Sequence, residues 1–301
     1  MNIKHSLYGL LCGTLMLASC SSDEPTAPSA QTVEASFSLN IAGEVATRAG
    51  NSNSALGGAQ NLGAKNLNYI LALYEVADNN TLILSDFCQV SDRDGDGERI
   101  SPMVTLGKTY MMVALAHFGD KRNIADKAGY LKAMPIENII NSEAEDFYVA
   151  TKTARFTVDN LQHALTLKRP YAKLRIVATD YPDEATISSV SIDYGTNTLF
   201  NRFDALTQQF SDATISQPLT ASQYNTSDAA TAKTIVADYF PVNTVSPTTY
   251  LSAFTVTVTL EGGSSFSRTF NDIPLQRNAL TTLSGTFFSS QSQMKCDVTN
   301  D

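Results

Sequence analysis

Val33-Glu34-Ala35-Ser36-Phe37-Ser38-Leu39-Asn40-Ile41 decides how this chain folds. Apolar and polar residues alternate along it, and a period of two sends one set to a buried face and the other to water. That is a β-strand with one side in a core. The alternation returns far downstream, where Phe254, Val256, Val258 and Leu260 alternate with Thr255, Thr257, Thr259 and Glu261. Gly262-Gly263 follows, and Phe266 to Phe270 pairs back across it as a hairpin. Leu174, Ile176 and Ala178 alternate with Lys173, Arg175 and Val177, and Met294, Cys296 and Val298 alternate again in the tail.

Other segments read as strands without so clean an alternation. Asn68 to Val76 predicts a strand buried on both faces, Leu82 to Val90 predicts another, and Ala77-Asp78-Asn79-Asn80 is the turn between them. Met103 to Leu106, Thr109 to Phe118, Phe147 to Ala150, Arg155 to Val158 and Leu280 to Phe288 also read as strands, and Ile187, Val190 and Ile192 suggest one more. Residues 123–146 lack alternation and predict short helical turns and loop. Strands flank Lys168-Arg169-Pro170, where a proline that cannot donate to a ladder marks an edge or a crossing between domains. Leu199, Phe203, Leu206 and Phe210 have the spacing of an amphipathic helix facing a core.

The fold class is therefore all-β with minor α: two β-sandwich domains in tandem, residues 33–165 and 166–301, meeting near residues 160–167. The length of 301 residues suits two domains of ordinary size.

The start of the chain sets the compartment. Lys4 precedes an apolar run of Leu7, Tyr8, Leu10, Leu11, Leu15, Met16 and Leu17, and Leu17-Ala18-Ser19-Cys20 follows. A basic start, an apolar run too short to span a bilayer and small residues before a cut describe a secretory signal, residues 1–20. Ala18-Ser19 before Cys20 fits a bacterial lipobox. Cys20 would carry a diacylglycerol thioether and become the first mature residue, held in a membrane by its acyl chains. The alternative is an ordinary signal peptide that happens to end in Cys. Residues 21–32, polar and proline-bearing, form a flexible tether. Gly43 to Asn61 is small and polar and reads as a loop or link.

Composition excludes some functions. Net charge is −9, so no basic surface offers itself to nucleic acid. No G-x-S-x-G elbow and no H-E-x-x-H spacing occurs, and His117 and His163 are the only histidines past the signal. Asp183-Glu184 and Glu143-Glu145 read as solvated loop charges. No catalytic residue is assigned, no cofactor is expected, and the chain reads as no enzyme. Cys88 and Cys296 remain after the signal, enough for one disulfide or for two free thiols. Asp92-Arg93-Asp94-Gly95-Asp96-Gly97-Glu98 matches the first half of a calcium loop, with Asp92, Asp94 and Asp96 at alternate positions and glycine at the sixth. The twelfth position is Met103 rather than Glu, so a plain Asp/Gly turn is the other reading.

Four features together carry a resemblance: the lipobox with its acidic tether, the alternating strand ending at Ala46-Thr47-Arg48-Ala49, Leu167-Lys168-Arg169-Pro170-Tyr171-Ala172-Lys173-Leu174, and Ile273-Pro274-Leu275-Gln276-Arg277-Asn278-Ala279-Leu280-Thr281-Thr282-Leu283-Ser284-Gly285. The chain resembles the fimbrillin-like lipoproteins of Bacteroidetes, the subunits of type V pili. The resemblance implies two transthyretin-like, Greek-key β-sandwiches, surface export and a fimbrial role. It implies a protease cut between Arg48 and Ala49, release of the strand bearing Val33, Ala35, Phe37, Leu39 and Ile41, and filling of the slot by a strand from another subunit. Around Phe200-Asn201 it favours extended chain with a turn over the helix. The sequence departs from the pattern in its short tail: Met294, Cys296 and Val298 serve either as a donor strand or as the last strand of the second domain. A stand-alone surface lipoprotein that binds glycan or host protein is the competing reading.

Overall fold

The computed structural model describes residues 30–41, 67–92, 98–119, 121–136, 147–214, 219–221, 233–243, 248–290 and 293–300. These residues are almost wholly β. The first half runs β1 (Thr32–Glu34), β2 (Ser36–Ile41), β3 (Leu67–Val76), β4 (Leu82–Asp92), β5 (Glu98–Ile100), β6 (Met103–Thr105), β7 (Thr109–Phe118), α1 (Lys127–Tyr130), β8 (Met134–Pro135), β9 (Phe147–Arg155) and β10 (Gln162–Leu167). The second runs β11 (Tyr171–Ala178), β12 (Ile187–Asp193), β13 (Leu199–Asp204), β14 (Gln209–Thr214), β15 (Leu219–Ala221), β16 (Lys233–Pro241), β17 (Thr248–Leu251), β18 (Phe254–Leu260), β19 (Ser265–Phe270), β20 (Ile273–Gln276), β21 (Ala279–Gly285) and β22 (Met294–Asn300).

In the first half, the antiparallel sheet β4-β3-β7-β9 packs on the sheet β10-β2-β5 and the pair β1-β6. Tyr69, Leu71 and Leu73 of β3 and Tyr110, Met112 and Ala114 of β7 meet Ala35, Phe37, Leu39, Leu165 and Leu167 in one core. In the second half, β16-β11-β21-β22 packs on β15-β12-β18-β19. Leu174, Ile176, Val190, Ile192, Val256, Val258 and Leu283 are among its core residues. The β18–β19 hairpin pairs Phe254 with Phe270 and Thr259 with Ser265. Gly262 and Gly263 close it at φ 97° and 89°, a region that a side chain rarely tolerates.

A third cluster explains why β3 is apolar on both faces from Tyr69 to Tyr74. Its other face, Ile70, Ala72 and Tyr74, joins Val113, Leu115, Phe147 and Val149 against Tyr171, Phe203, Phe210, Ala237 and Tyr239 of the second half. One strand thus serves two interfaces. The crossing at Arg169 is buried in the same seam. Its guanidinium lies 5.0 Å from the Tyr148 ring centre and 5.3 Å from that of Tyr239, and it donates to the Tyr148 hydroxyl at 2.8 Å. Cation–π stacking and a charged hydrogen bond offset the cost of burying this charge. β8 adds to the seam by pairing with β13.

Three segments differ from expectation or settle it. Arg155 to Val158 is not a separate strand: β9 is continuous through Arg155, and Phe156 then turns into the core while its N–H donates to the Lys108 carbonyl at 2.9 Å. Leu199 to Phe210 is a hairpin rather than a helix. Leu199 and Phe203 share a strand face, and Phe210 is the cross-strand partner of Phe203, with ring centres 4.7 Å apart. A hairpin thereby mimics helical spacing. Asp204 shapes its turn by accepting from the Leu206 N–H at 2.8 Å. Third, β21 stops at Gly285, short of the expected Phe288. There the Asp180 carboxylate accepts N–H groups from Phe287, Phe288 and Ser289 at 2.6, 3.0 and 2.7 Å, which draws the chain off the ladder.

The slot around the first strand as candidate functional site

The first strand lies between two others rather than at a sheet edge. On one side, Thr32, Val33 and Glu34 pair antiparallel with Thr105, Val104 and Met103, and Phe37, Ser38 and Leu39 pair with Ile100, Arg99 and Glu98. The two sets share one register. Pro102 interrupts the ladder because it has no N–H to give. Its carbonyl still accepts from the Ala35 N–H at 2.9 Å, and the Leu106 N–H donates to the Gln31 carbonyl at 2.8 Å. On the other side, Ser36 to Ile41 run parallel to Gln162 to Leu167 in unbroken register. Both edges of β2 are therefore occupied.

The inward side chains fill the sandwich. Ala35, Phe37 and Leu39 are fully buried, Ile41 nearly so, and Val33 packs half-buried on the same core. Phe37 stacks on the His163 ring, with centres 5.5 Å apart and 28° between planes, and lies 6.1 Å from Phe156. His163 is buried, and desolvation, helped by the Lys152 ammonium, holds its pKa below the ordinary imidazole value. The imidazole is thus a neutral, apolar-facing wall of the slot. His117 is a second buried histidine, lowered to about 4 by burial and then by Arg122.

The slot joins residues that lie far apart in the sequence. The alternating strand was legible on its own. His163 and Leu165 line the slot through a parallel pairing between residues 36–41 and 162–167, which leaves no local signal, and Ile100 and Val104 reach it from more than 50 residues away. β2 ends at Ile41 and β3 begins at Leu67, so the covalent link between strand and sandwich passes through Arg48 and Ala49. Arg48, Ala49 and Cys20 lie outside the described residues. So do Asp94, Asp96 and Glu143-Glu145, and of Asp92 only the backbone at the end of β4 is described. No group of metal-ligating side chains occurs among the described residues. Asp183 and Glu184 are exposed. Cys88, half-buried, and Cys296, exposed, are both free thiols.

The second half holds a buried polar pair that sequence reading missed. The Tyr194 hydroxyl donates to the Asp238 carboxylate at 2.5 Å, with both groups in the core. Burial pushes Asp238 up to about 6 against the opposing effect of the Tyr194 hydrogen bond. Burial, with the Asp238 charge next, pushes Tyr194 well above the ordinary phenol value. The pair sits within a packed interior, and it has the character of a structural hydrogen bond.

Two tandem β-sandwiches, the first completed by a central N-terminal strand, define the class of fold. It is shared with a Bacteroides uniformis protein assigned to cell adhesion, at TM-score 0.55 and 10% identity over 91% of this chain and 99% of that one. It is shared too with the tip fimbrial protein Mfa3 from Porphyromonas gingivalis, at TM-score 0.52 and 9% identity over 89% of this chain and 100% of that one. The chain belongs to a family of unknown function (DUF6562), whose model matches residues 25–301. No curated protein matches it.

Proposed function

We propose that this chain is a structural subunit of a cell-surface fimbria, made as an outer-membrane lipoprotein acylated at Cys20 and assembled by strand exchange. In this reading a protease cuts between Arg48 and Ala49 and the strand bearing Val33, Ala35, Phe37, Leu39 and Ile41 departs. A strand from another subunit then takes its place. The observation that carries the reading is the central position of β2 between β10 and β5. Its loss strips ladder partners from two strands and exposes the face lined by Ile100, Val104, Phe156 and Leu165. An apolar slot between two open edges is a poor end state in water and a template for an incoming strand. Buried apolar side chains of this kind each contribute ~1.5 kcal/mol or more, and a donor that repeats their spacing recovers that burial. Head-to-tail donation is a heterologous contact, so it builds filaments rather than closed rings. Further support comes from the fold, shared with a tip fimbrial protein, and from the lipobox around Cys20.

The test is polymerisation of the cut chain. Protein cleaved after Arg48 and stripped of its first strand is incubated alone, with an intact fimbrial partner, and with a Val33–Ile41 peptide. Strand exchange predicts higher-order species that the peptide suppresses. A cut chain that stays monomeric in every mixture, or polymers indifferent to the peptide, contradicts it. The competing reading, a permanently anchored binding lipoprotein, predicts that all surface copies keep Cys20 and the first strand.

A further inference from the structure

The outer edge of β22 has a self-complementary pattern. β22 lies antiparallel on β21, pairing Leu283 with Cys296, and closes its sheet. Among the described residues no strand pairs with its other side. Met294 packs against the second core, while Lys295, Cys296, Asp297, Val298 and Thr299 are exposed. Val298 is one of the few large apolar side chains exposed among the described residues.

Consider a second β22 laid antiparallel on this edge with Cys296 at the two-fold axis. Cys296 then faces Cys296 of the other copy. Lys295 faces Asp297 and Asp297 faces Lys295, while Met294 faces Val298 in both directions. Two opposite-charge pairs and two apolar pairs form from a single strand without any rearrangement. Lys295 and Asp297 already project together, joined at 2.9 Å within the strand. The neighbouring registers of the same pleat, two residues away on either side, centre the axis on Asp297 or on Lys295 and put like charges together. Charges on an edge strand normally repel other edges; here their order admits one partner in one register.

We propose that β22 is a homotypic docking edge, pairing antiparallel with β22 of a second copy about Cys296. This goes beyond the fimbrial reading and does not rest on it. Two strand edges bury little area, so the contact belongs to the weak, transient class. Residues directly opposite in antiparallel strands have Cα atoms about 4.5–5.5 Å apart, inside the range a disulfide spans. Cys296 therefore reports the register. With oxidised glutathione as oxidant, the Cys296 thiolate of one copy attacks the glutathione disulfide and expels one glutathione thiolate. The other copy's thiolate then attacks the mixed disulfide and expels the second, leaving one S–S bond and two reduced glutathiones.

The purified chain is incubated with oxidised glutathione, and the rate of covalent dimer formation is measured. Peptide mapping identifies which cysteines are joined. The expected result is a Cys296–Cys296 bond. Lys295→Asp and Asp297→Lys each turn two opposite-charge pairs into two like-charge pairs and slow cross-linking about tenfold. The double swap Lys295→Asp with Asp297→Lys restores the parent rate. Dimers joined through other cysteines, single variants that cross-link like the parent, or a double swap without rescue overturn the proposal. A chain that forms no dimer at all does so too. Because the altered side chains are exposed, circular dichroism of each variant is expected to match the parent, and charge rescue has no counterpart in a folding defect.

Discussion

Once the chain is cut after Arg48, the first strand is held only by its ladders and its buried side chains, and Phe37→Ala attacks the largest of these. Phe37 is fully buried, stacked on His163 and close to Phe156. Truncating a core phenylalanine to alanine costs about 3–5 kcal/mol, because the burial is lost and the walls do not close the gap. At about 1.4 kcal/mol per factor of ten, the release equilibrium moves by roughly a hundredfold to a few thousandfold. Native mass spectrometry of the cut chain, with excess Val33–Ile41 peptide to fill the vacated slot, counts over time the molecules that have exchanged their own first strand for peptide. Asn40→Ala is the control, since Asn40 is exposed on the same strand and its loss is expected to change release by less than a few-fold. If Phe37→Ala and Asn40→Ala release the strand alike, the buried face is not what retains it, and the reasoning fails.

Other predictions follow from the buried polar groups. His163 has a lowered pKa, so the folded state resists the proton that the unfolded chain accepts. Retention of the first strand is therefore complete above the ordinary imidazole value and declines as pH falls below it; strand release at pH 5 is expected to exceed that at pH 8, and His163→Phe removes the difference. Asp238 has the opposite sign. Its pKa is raised to about 6, so its ionisation costs folded-state stability as pH rises from about 4 to 6. Asp238→Asn is expected to flatten the stability curve across that window in urea titrations, and a variant that keeps the parent's slope there rules out this origin. Arg169→Ala removes the hydrogen bond to the Tyr148 hydroxyl and two cation–π contacts, at a cost of about 2–4 kcal/mol in stability read by urea unfolding. Arg169→Lys recovers only part of it, because an ammonium lacks the planar fork.

What the sequence disclosed depended on how local the cause was. The hairpin of β18 and β19 was legible because alternation and Gly262-Gly263 lie within one stretch of chain. β3 read as doubly buried because both of its faces are covered, though nothing local said that the second cover is the other sandwich. β16 went unread: Thr234 to Pro241 mixes Asp238 and Tyr239 into an apolar run, and the Tyr194 hydroxyl that satisfies Asp238 lies 44 residues away. Helical spacing at Leu199, Phe203, Leu206 and Phe210 arose from a turn that only cross-strand pairing explains. For the slot, the first strand was legible residue by residue, whereas His163 and Phe156 became part of it only through the parallel β2–β10 pairing and the close of β9. Pro170 marked the crossing, but nothing local marked Arg169 as buried, since the aromatic rings that hold it come from β9 and β16.

Sequencing the N-terminus of protein sheared from the surface of cells that make this chain asks most directly whether the first strand leaves. The account predicts a mature chain beginning at Ala49. Surface copies that all begin at an acylated Cys20, with Thr32 to Ile41 still attached, contradict it.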